Sequence, residues 1–559
     1  MKINKKLMIM ALFALTSVGL AACATEDSGT DTNGVVEVVH GELVRPIVIY
    51  SSLPEVNLVN YEMAAEAAAE LRLLGVDAVA QPVDFAVLLD ILYGEDMDYD
   101  AFTIGWSGRV ERLDPDMFIR SINHSDFAGP GGNNTSRYRN PAFDVIADAQ
   151  SRELDVTKRQ ELVYEAQQIL AEDVPLITLY SRANVQTFNS NLWDASTVEN
   201  IPGEGLFNEW TPFYATPLTS QRVLRVASNV NIDEINPLTS ISVYGWRNLR
   251  MIYDKLVRLS PDIEPVPWAA SAVNVIDSTT IDVVLREGMT FHDGKPVRVE
   301  DVKYSYELFI DLEVGYFASF LGPIESIELT GGQTIRFNLE FAYAPFITNT
   351  LAQIPILPEH IWSEIENPLQ YSNTDAIGSG PFKLVRFETG VELVAERFDD
   401  YFMPAKMDGY IFQIFASNDG VISAIEREEV DMVSFDLIPA HIDLISTNAG
   451  NRFPNYTVTE GEDIGFFYLG LNLDRAPFNN KAFRVALAHL VDYDYAVNDL
   501  LNGYGARGGG GLTIVRGNAF WNNPNVPIYD TYNPARARQI LLDAGFTFDD
   551  QNRLRMPTA

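Results

Sequence analysis

The sequence predicts an α/β protein with more than one domain, and three observations carry that reading. Between residues 43 and 186, β-branched apolar runs alternate with helical stretches, the pattern of βαβ units on a largely parallel sheet. From residue 221 strands predominate and helices thin out, so a region of different make-up follows. The 559 residues also suffice for roughly two to four domains or lobes of ~150 residues each, and for a large core.

Taken in order, "RPIVIYSS" is the first strand, and "YEMAAEAAAELRLLG" is a helix ended by Gly75 at the position that favours a left-handed residue. "VDAVAQPV" reads as a strand, "DFAVLLDILYG" as a short helix and "YDAFTIGW" as a further strand. Two helices follow within 136–173, the second with Leu162, Ala166, Ile169 and Leu170 on one face, and then the buried strand "VPLITLY". Residues 190–220, rich in Asn, Pro, Gly and aromatics, read as a joint. Beyond it come the strands "VLRVAS", "TTIDVVLR", "QTIRFNLE", "GPFKLVRF" and "VELVAER", with "VRVEDVKYSYELFI" as a helix. "IGFFYLGLNL" is an apolar strand, and "NPARARQILLDAG" is a helix with Asn533 as N-cap, Pro534 at its first position and Gly545 past its end.

At the N-terminus, Lys2, Lys5 and Lys6 precede an apolar stretch from Leu7 to Leu20. It is shorter than the ~20 residues of a spanning helix and reads as an export signal, residues 1–22. It ends in "LAAC", whose Cys23 is the only cysteine. Small residues before a lone cysteine resemble the lipobox of bacterial lipoproteins, which implies lipidation of Cys23 and attachment to the outer face of the cell membrane. Residues 23–42 are then a polar tether. No cysteine remains for disulfides. The formal charge of −37 argues against nucleic acid as a partner, which needs basic patches.

From 221 onward the motifs occur in a telling order. "NPLTS", "IYDKLVRLSP" and the long run "PVPWAASAVNVIDSTTIDVVLREGMTFHDGKPVRVEDVKYSYE" are followed by "PILPEHIW", "GSGPFKL", "AIEREEVDMV", "YLGLNLDRAPFNNKAFRVALAHLVD" and "ARQILLDAGF". This series resembles family 5 of the bacterial extracellular solute-binding proteins, the peptide- and nickel-type receptors of ABC importers. The segments "IVIYSS", "AAEAAAELRLLGVDAVAQPVDF", "YDAFTIGWSGRVERLDPDMF", "GGNNTSRYRNPAFDVIADAQ" and "AEDVPLITLYSRANVQTF" resemble the C-terminal part of the same family, yet they precede residue 220. A circular permutation accounts for that order, with the family's two termini joined through 195–222. A rearranged gene and a chain that swaps halves with a second copy are the alternatives. Permutation is physically open to such a fold, because termini of compact domains lie at the surface and often close together.

The resemblance implies a two-lobed periplasmic-binding-protein-like fold (type II), circularly permuted, with a hinge between the lobes. On this mapping 43–195 is the C-terminal part of lobe II, 196–222 the return and bridge, 223–460 lobe I, and 461–559 the N-terminal part of lobe II. The hinge crossings are expected near 187–198 and 457–466, and "NRLRMPTA" is expected beside residues 43–47. The implied activity is capture of a peptide-like or other small polar solute between closing lobes, by a monomer serving an ABC permease and its ATPase subunits. A sensory receptor for a membrane signalling protein is the alternative, and an enzyme reusing the fold a remote one.

In peptide-binding members an Asp three residues after the Trp of "GWSGRVERLDPD" meets the peptide's ammonium; here that place holds Arg109, whose planar fork suits carboxylate or phosphate. The other reading of Arg109 is a loop charge paired with Glu111 or Asp114. Trp106, Tyr244, Trp246 and Tyr468 are expected to supply aromatic walls, with Phe467 in the core, and Asn133 and Asn134 match the family's Gly-Asn loop near the cleft. No cofactor or metal is expected: the six histidines show no metal spacing, and no nucleophile elbow or P-loop occurs. "GARGGGG" at 505–511 lacks the Lys-Ser/Thr that phosphate binding needs.

Overall fold

A computed structural model describes residues 41–558 apart from 55, 107, 109–111, 113, 233, 241, 262–263 and 315–316. The expected export signal, Cys23 and Arg109 lie outside the described residues. Among those described, no helix is long and apolar enough to cross a membrane.

The alternating pattern of 43–186 folds as its periodicity dictates. β1 (Ile47–Ser52) pairs in parallel with β2 (Ala78–Val83) and β3 (Ala101–Trp106), connected through α1 (Leu58–Leu73) and α2 (Phe85–Tyr93). α1 is capped by Asn57, whose Oδ1 accepts from the Asn60 amide at 3.2 Å, and it buries Met63, Ala64, Ala67, Ala68 and Leu71. Gly75 follows at φ +86°, and a Cβ there would lie 2.0 Å from the Asn552 carbonyl oxygen. Both the left-handed turn and the close passage of residue 552 therefore require glycine. α3 (Pro141–Arg152) and α4 (Val156–Asp173), capped by Asn140 and Asp155, lead into β4 (Leu176–Asn189).

β4 is twice as long as its apolar core suggests. Its first half pairs antiparallel with the strand Phe466–Leu471, which lies between β4 and β3. Its second half, from Ala183, pairs with the strand Tyr456–Glu462. One continuous strand thus runs between two halves of a 12-stranded sheet, and the chain returns through residues 463–465. β4 changes partners near residues 180–183, and the return segment is 463–465.

The other half of the sheet is centred on β5 (Val223–Ser228), parallel to Gly409–Ile414 and Met432–Val433 and extended by Glu392–Arg397 and Phe382–Glu388. A separate four-stranded antiparallel sheet covers residues 270–339. Each half has its own apolar core. One contains Leu224, Val226, Leu249, Phe337 and Phe412; the other is built from Ile49, Ala67, Phe102, Leu469, Phe483 and Leu541. The two halves are denoted lobes I and II below.

The expected joint packs firmly. Trp193, Leu206 and Phe207 enter the lobe I core, and Trp210 and Phe213 cluster with Trp268 and Tyr401. Glu204 and Glu209 are held there by ion pairs from Arg250 (2.7 Å) and Lys255 (2.9 Å). At the far end of lobe II, Leu43 bridges Arg555 in antiparallel register, and the Val44 amide donates to the Leu554 carbonyl at 3.0 Å. Residues 554–556 therefore lie beside 42–44, as the sequence anticipates.

Candidate functional site

Where β4 passes from one lobe to the other, charged side chains of both lobes converge. From lobe II, β3 ends at Trp106, with the Arg112 guanidinium 5.0 Å over its ring. Phe467 stacks on Tyr180 at 4.7 Å and is covered on its ring by Arg182, also at 4.7 Å. Gly105 makes room for that ring: a Cβ would come within 2.4 Å of it. Asp463, in the return crossing, accepts from the Gly465 amide at 3.1 Å, and Gly108 passes so close that a Cβ would lie 2.1 Å from its Oδ1.

From lobe I, helix Val243–Ile252 presents Tyr244 and Arg247, with the guanidinium 5.3 Å from the phenol ring and bonded to the Ser434 carbonyl. Asp436 stands opposite and is touched by the Gln186 amide at 3.4 Å. Gln186 is itself held by the Leu206 amide, 2.8 Å from its Oε1. Asp436 keeps an exposed surface, while the surrounding protein partly desolvates its carboxylate. That burial, and then the like charge of Asp463, push its pKa up to about 6, against Arg247, Gln186 and Arg182. Burial also raises Asp463 and the Tyr244 phenol. The Nε atoms of Arg182 and Arg247 are buried and find no partner among the described residues. A site with two desolvated carboxylates and two guanidinium donors still to be satisfied can hold a polar solute bearing both donors and acceptors.

The structure brings only part of the expected set together. Trp106 and Tyr244 lie beside the Arg112 and Arg247 guanidiniums. Trp246 is corrected from an aromatic wall to a core residue: it lies on the helix about 200° around from Tyr244. Its indole N–H reaches the Ser240 carbonyl at 2.8 Å and its ring meets Phe317 edge-on. Tyr468 is corrected to core, because successive strand residues face opposite ways, and Phe467 packs half-buried against the lobe II core as expected. Tyr468 is 1 % exposed, packed on Phe102 with its hydroxyl 3.4 Å from Thr135 Oγ1, whereas Phe467 meets Arg182. Asn134 is wholly buried and donates to the carbonyls of Asn123, His124 and Tyr138, while its Oδ1 accepts the Tyr138 amide. It staples its own loop and offers nothing to a ligand. Asn133 donates to Ser121 Oγ at 2.9 Å in the same loop.

Sequence reading missed Arg112, Arg182, Gln186, Arg247, Asp436 and Asp463. The signal it could have used is a charge set in an apolar element: Arg182 interrupts "LITLYSRANV", and Arg247 lies on a helix whose residues 245–252 are all buried. Among the described residues no group of His, Cys, Asp and Glu is arranged to hold a metal. His292 is held in a turn, its ring between the Gly378 amide and the Gly380 carbonyl, and burial lowers its pKa to about 4.

A sequence model of the bacterial extracellular solute-binding proteins, family 5 (middle), matches residues 264–558. The chain belongs to that family. Among curated relatives, the oligopeptide-binding protein AppA of Bacillus subtilis is 25% identical over 308 residues, 53% of this chain and 54% of AppA. The dipeptide-binding protein DppE of the same organism is 22% identical over 299 residues, 50% and 53% of the two chains. The chain thus spans about half the length of the curated relatives it matches. Among solved structures, NikA from Brucella suis in complex with Fe(III)-EDTA is 20% identical, with TM-score 0.47 over 60% of this chain and 66% of NikA. AppA in complex with a nonapeptide is 22% identical, with TM-score 0.46 over 59% and 66%.

Proposed function

We propose that the protein is a lipid-anchored, extracytoplasmic substrate-binding protein of an ABC importer, capturing a peptide-like or other small polar solute between two closing lobes. The observation that carries this reading is the convergence of Trp106, Arg112, Arg182 and Asp463 with Tyr244, Arg247 and Asp436 at the strand that joins the lobes. A ligand there contacts both lobes at once, so its binding energy favours the closed arrangement, which is the only way a ligand can drive closure. Relatives named for oligopeptide and dipeptide binding support a zwitterionic ligand, as does the pairing of carboxylates with guanidiniums. Arg109 is proposed to add an anion-binding fork in the "GWSGR" segment, and Asn133 to border the cleft. Cys23 is the proposed lipid attachment, with a permease and its ATPase subunits as partners of the closed monomer.

We also propose that the family's segment order is permuted in this chain. Residues 42–44 pairing with 554–556, and Phe466–Leu471 seated between β3 and β4, support a single chain that assembles both lobes. Mass spectrometry of solute released from the purified protein identifies the ligand class, and calorimetry with that solute tests the site. Asp436→Asn and Arg247→Met are each expected to weaken binding about tenfold or more, the first without lowering the unfolding midpoint. Affinities equal to that of the parent protein would refute the site. Light scattering giving a dimer at micromolar concentration would replace the permuted monomer by a half-swapped pair.

A further inference from the structure

Away from the crossing strands, a partly buried polar contact joins the lobes directly. On lobe II, Asp114 is 3 % exposed and its carboxylate is gripped by Arg159, with Nη1 2.8 Å from Oδ2 and Nη2 2.6 Å from Oδ1. Arg159 is fixed in turn by the Gln150 carbonyl at 3.1 Å and by the Trp521 ring at 5.2 Å. The Asp116 amide also donates to Asp114, at 2.9 Å. All of these partners belong to lobe II, so the carboxylate keeps its place and its charge whether or not lobe I is near. Buried as it is, Asp114 is held below the usual carboxylate range by Arg159.

On lobe I, Thr348 follows a short turn, Ala344–Phe346, which is anchored by Phe346 packing on Phe337 at 5.4 Å. The Thr348 hydroxyl reaches across to Asp114 Oδ2 at 2.8 Å. Among the described residues its other acceptor in reach is the Pro345 carbonyl of its own turn, at 3.3 Å. One hydroxyl proton thus has two destinations, a charged oxygen on the other lobe and a neutral one on its own. When the lobes part, the proton falls back to Pro345, and Asp114 stays paired with Arg159. Neither partner of this pair is left unsatisfied, so opening costs the pair itself little beyond one charge-assisted bond. Around this point Arg152 of α3 lies 6.0 Å over the Phe341 ring, which places a second, weaker contact on the same seam.

We propose that Thr348 and Asp114 form an interlobe latch: a hydrogen bond made only in the closed state that sets how much of the ligand-free protein is closed and how slowly bound solute leaves. This rests on the closing-lobe reading above. It assigns Thr348, which touches no solute in that reading, a positioning role in retention.

The test uses the full chain carrying Cys23→Ser, with spin labels at Val145→Cys on lobe II and Leu369→Cys on lobe I, both exposed positions. Interlobe distances are measured on protein stripped of solute and again with a tryptic digest of casein as the peptide probe. Thr348→Val, which keeps the shape and removes the hydroxyl, is expected to lower the closed-to-open ratio of stripped protein about tenfold, or about 1.4 kcal/mol. Thr348→Ser is expected to restore it, and the unfolding midpoint of both variants should match the parent. Bound solute should leave the Thr348→Val variant about tenfold faster. If distances respond to solute but Thr348→Val behaves as the parent, the latch is overturned and the closing reading stands. If the parent shows one distance regardless of the digest or its own co-purified solute, both are overturned.

Discussion

Replacing Glu209 by glutamine examines how the bridge between 190 and 222 is held to lobe I. Glu209 is 4 % exposed and accepts from Lys255 Nζ at 2.9 Å and faces Arg258 Nε at 3.4 Å. Arg258 also contacts Asp254, whose carboxylate takes the Tyr401 hydroxyl at 2.7 Å. Burial alone would raise the Glu209 pKa, but Lys255, Arg258 and Arg250 outweigh it and lower it. Burial brings Lys255 down to about 8 in spite of Glu209. The pair is thus charged at neutral pH only because each partner compensates the other. Glu209→Gln leaves Lys255 desolvated without its counter-charge, and breaking one side of such a pair costs about 3–5 kcal/mol. For a body of this size that corresponds to a fall of about 3–5 °C in unfolding midpoint. Glu209→Gln with Lys255→Met should recover much of the loss, giving a coupling of about 2 kcal/mol in a double-mutant cycle by urea denaturation. The sign with pH is also fixed. Unfolded lysine holds its proton to about 10.5, whereas folded Lys255 releases it at about 8. Its contribution to stability therefore rises between those values, and in Glu209→Gln the rise should begin at lower pH. A loss below 1 kcal/mol, with no coupling and no change in pH dependence, would refute the picture of a dry ion network anchoring the bridge.

Other consequences are open to direct measurement. Glu66 on α1 is pushed up to about 8 by burial, helped by Glu70 and opposed by the Asp492 amide. The folded state keeps a proton that the unfolded chain loses near 4.5, so stability falls as pH rises from about 4.5 to 8. Glu66→Gln should flatten that slope and stabilise the protein at pH 8 by about 2 kcal/mol, allowing for partial exposure, as read by chemical denaturation. Leu554 is fully buried in the lobe II core beside residue 44, so Leu554→Ala should cost about 2–4 kcal/mol and speed hydrogen exchange at the Val44 amide. Trp246→Phe should lower stability by about 1–2 kcal/mol through the lost bond to Ser240 yet leave solute affinity within a factor of two by calorimetry.

Local chemistry made most elements legible. The helix Pro534–Asp543 has the Asn533 cap and Gly545 at φ +86° that its sequence announces, and β1 to β3 take the parallel order that alternating runs imply. The length of β4 was hidden, since "SRANVQTF" looks polar and irregular alone and becomes a strand only because Tyr456–Glu462 pairs with it. The site was hidden for a related reason. Its charges come from residues 112, 182, 247, 436 and 463, and no spacing along the chain signals that they meet. Aromatic residues drew attention instead, and of those proposed, alternation on a strand and rotation on a helix turned Tyr468 and Trp246 into core.

Small-angle X-ray scattering of protein stripped of solute, and again saturated with the solute that co-purifies with it, bears most directly on the claim that two lobes close over the cleft at β4. The account predicts a smaller radius of gyration on saturation, abolished in Arg247→Met at the same solute concentration. An unchanged radius in the saturated parent protein, with binding confirmed by calorimetry, would contradict it.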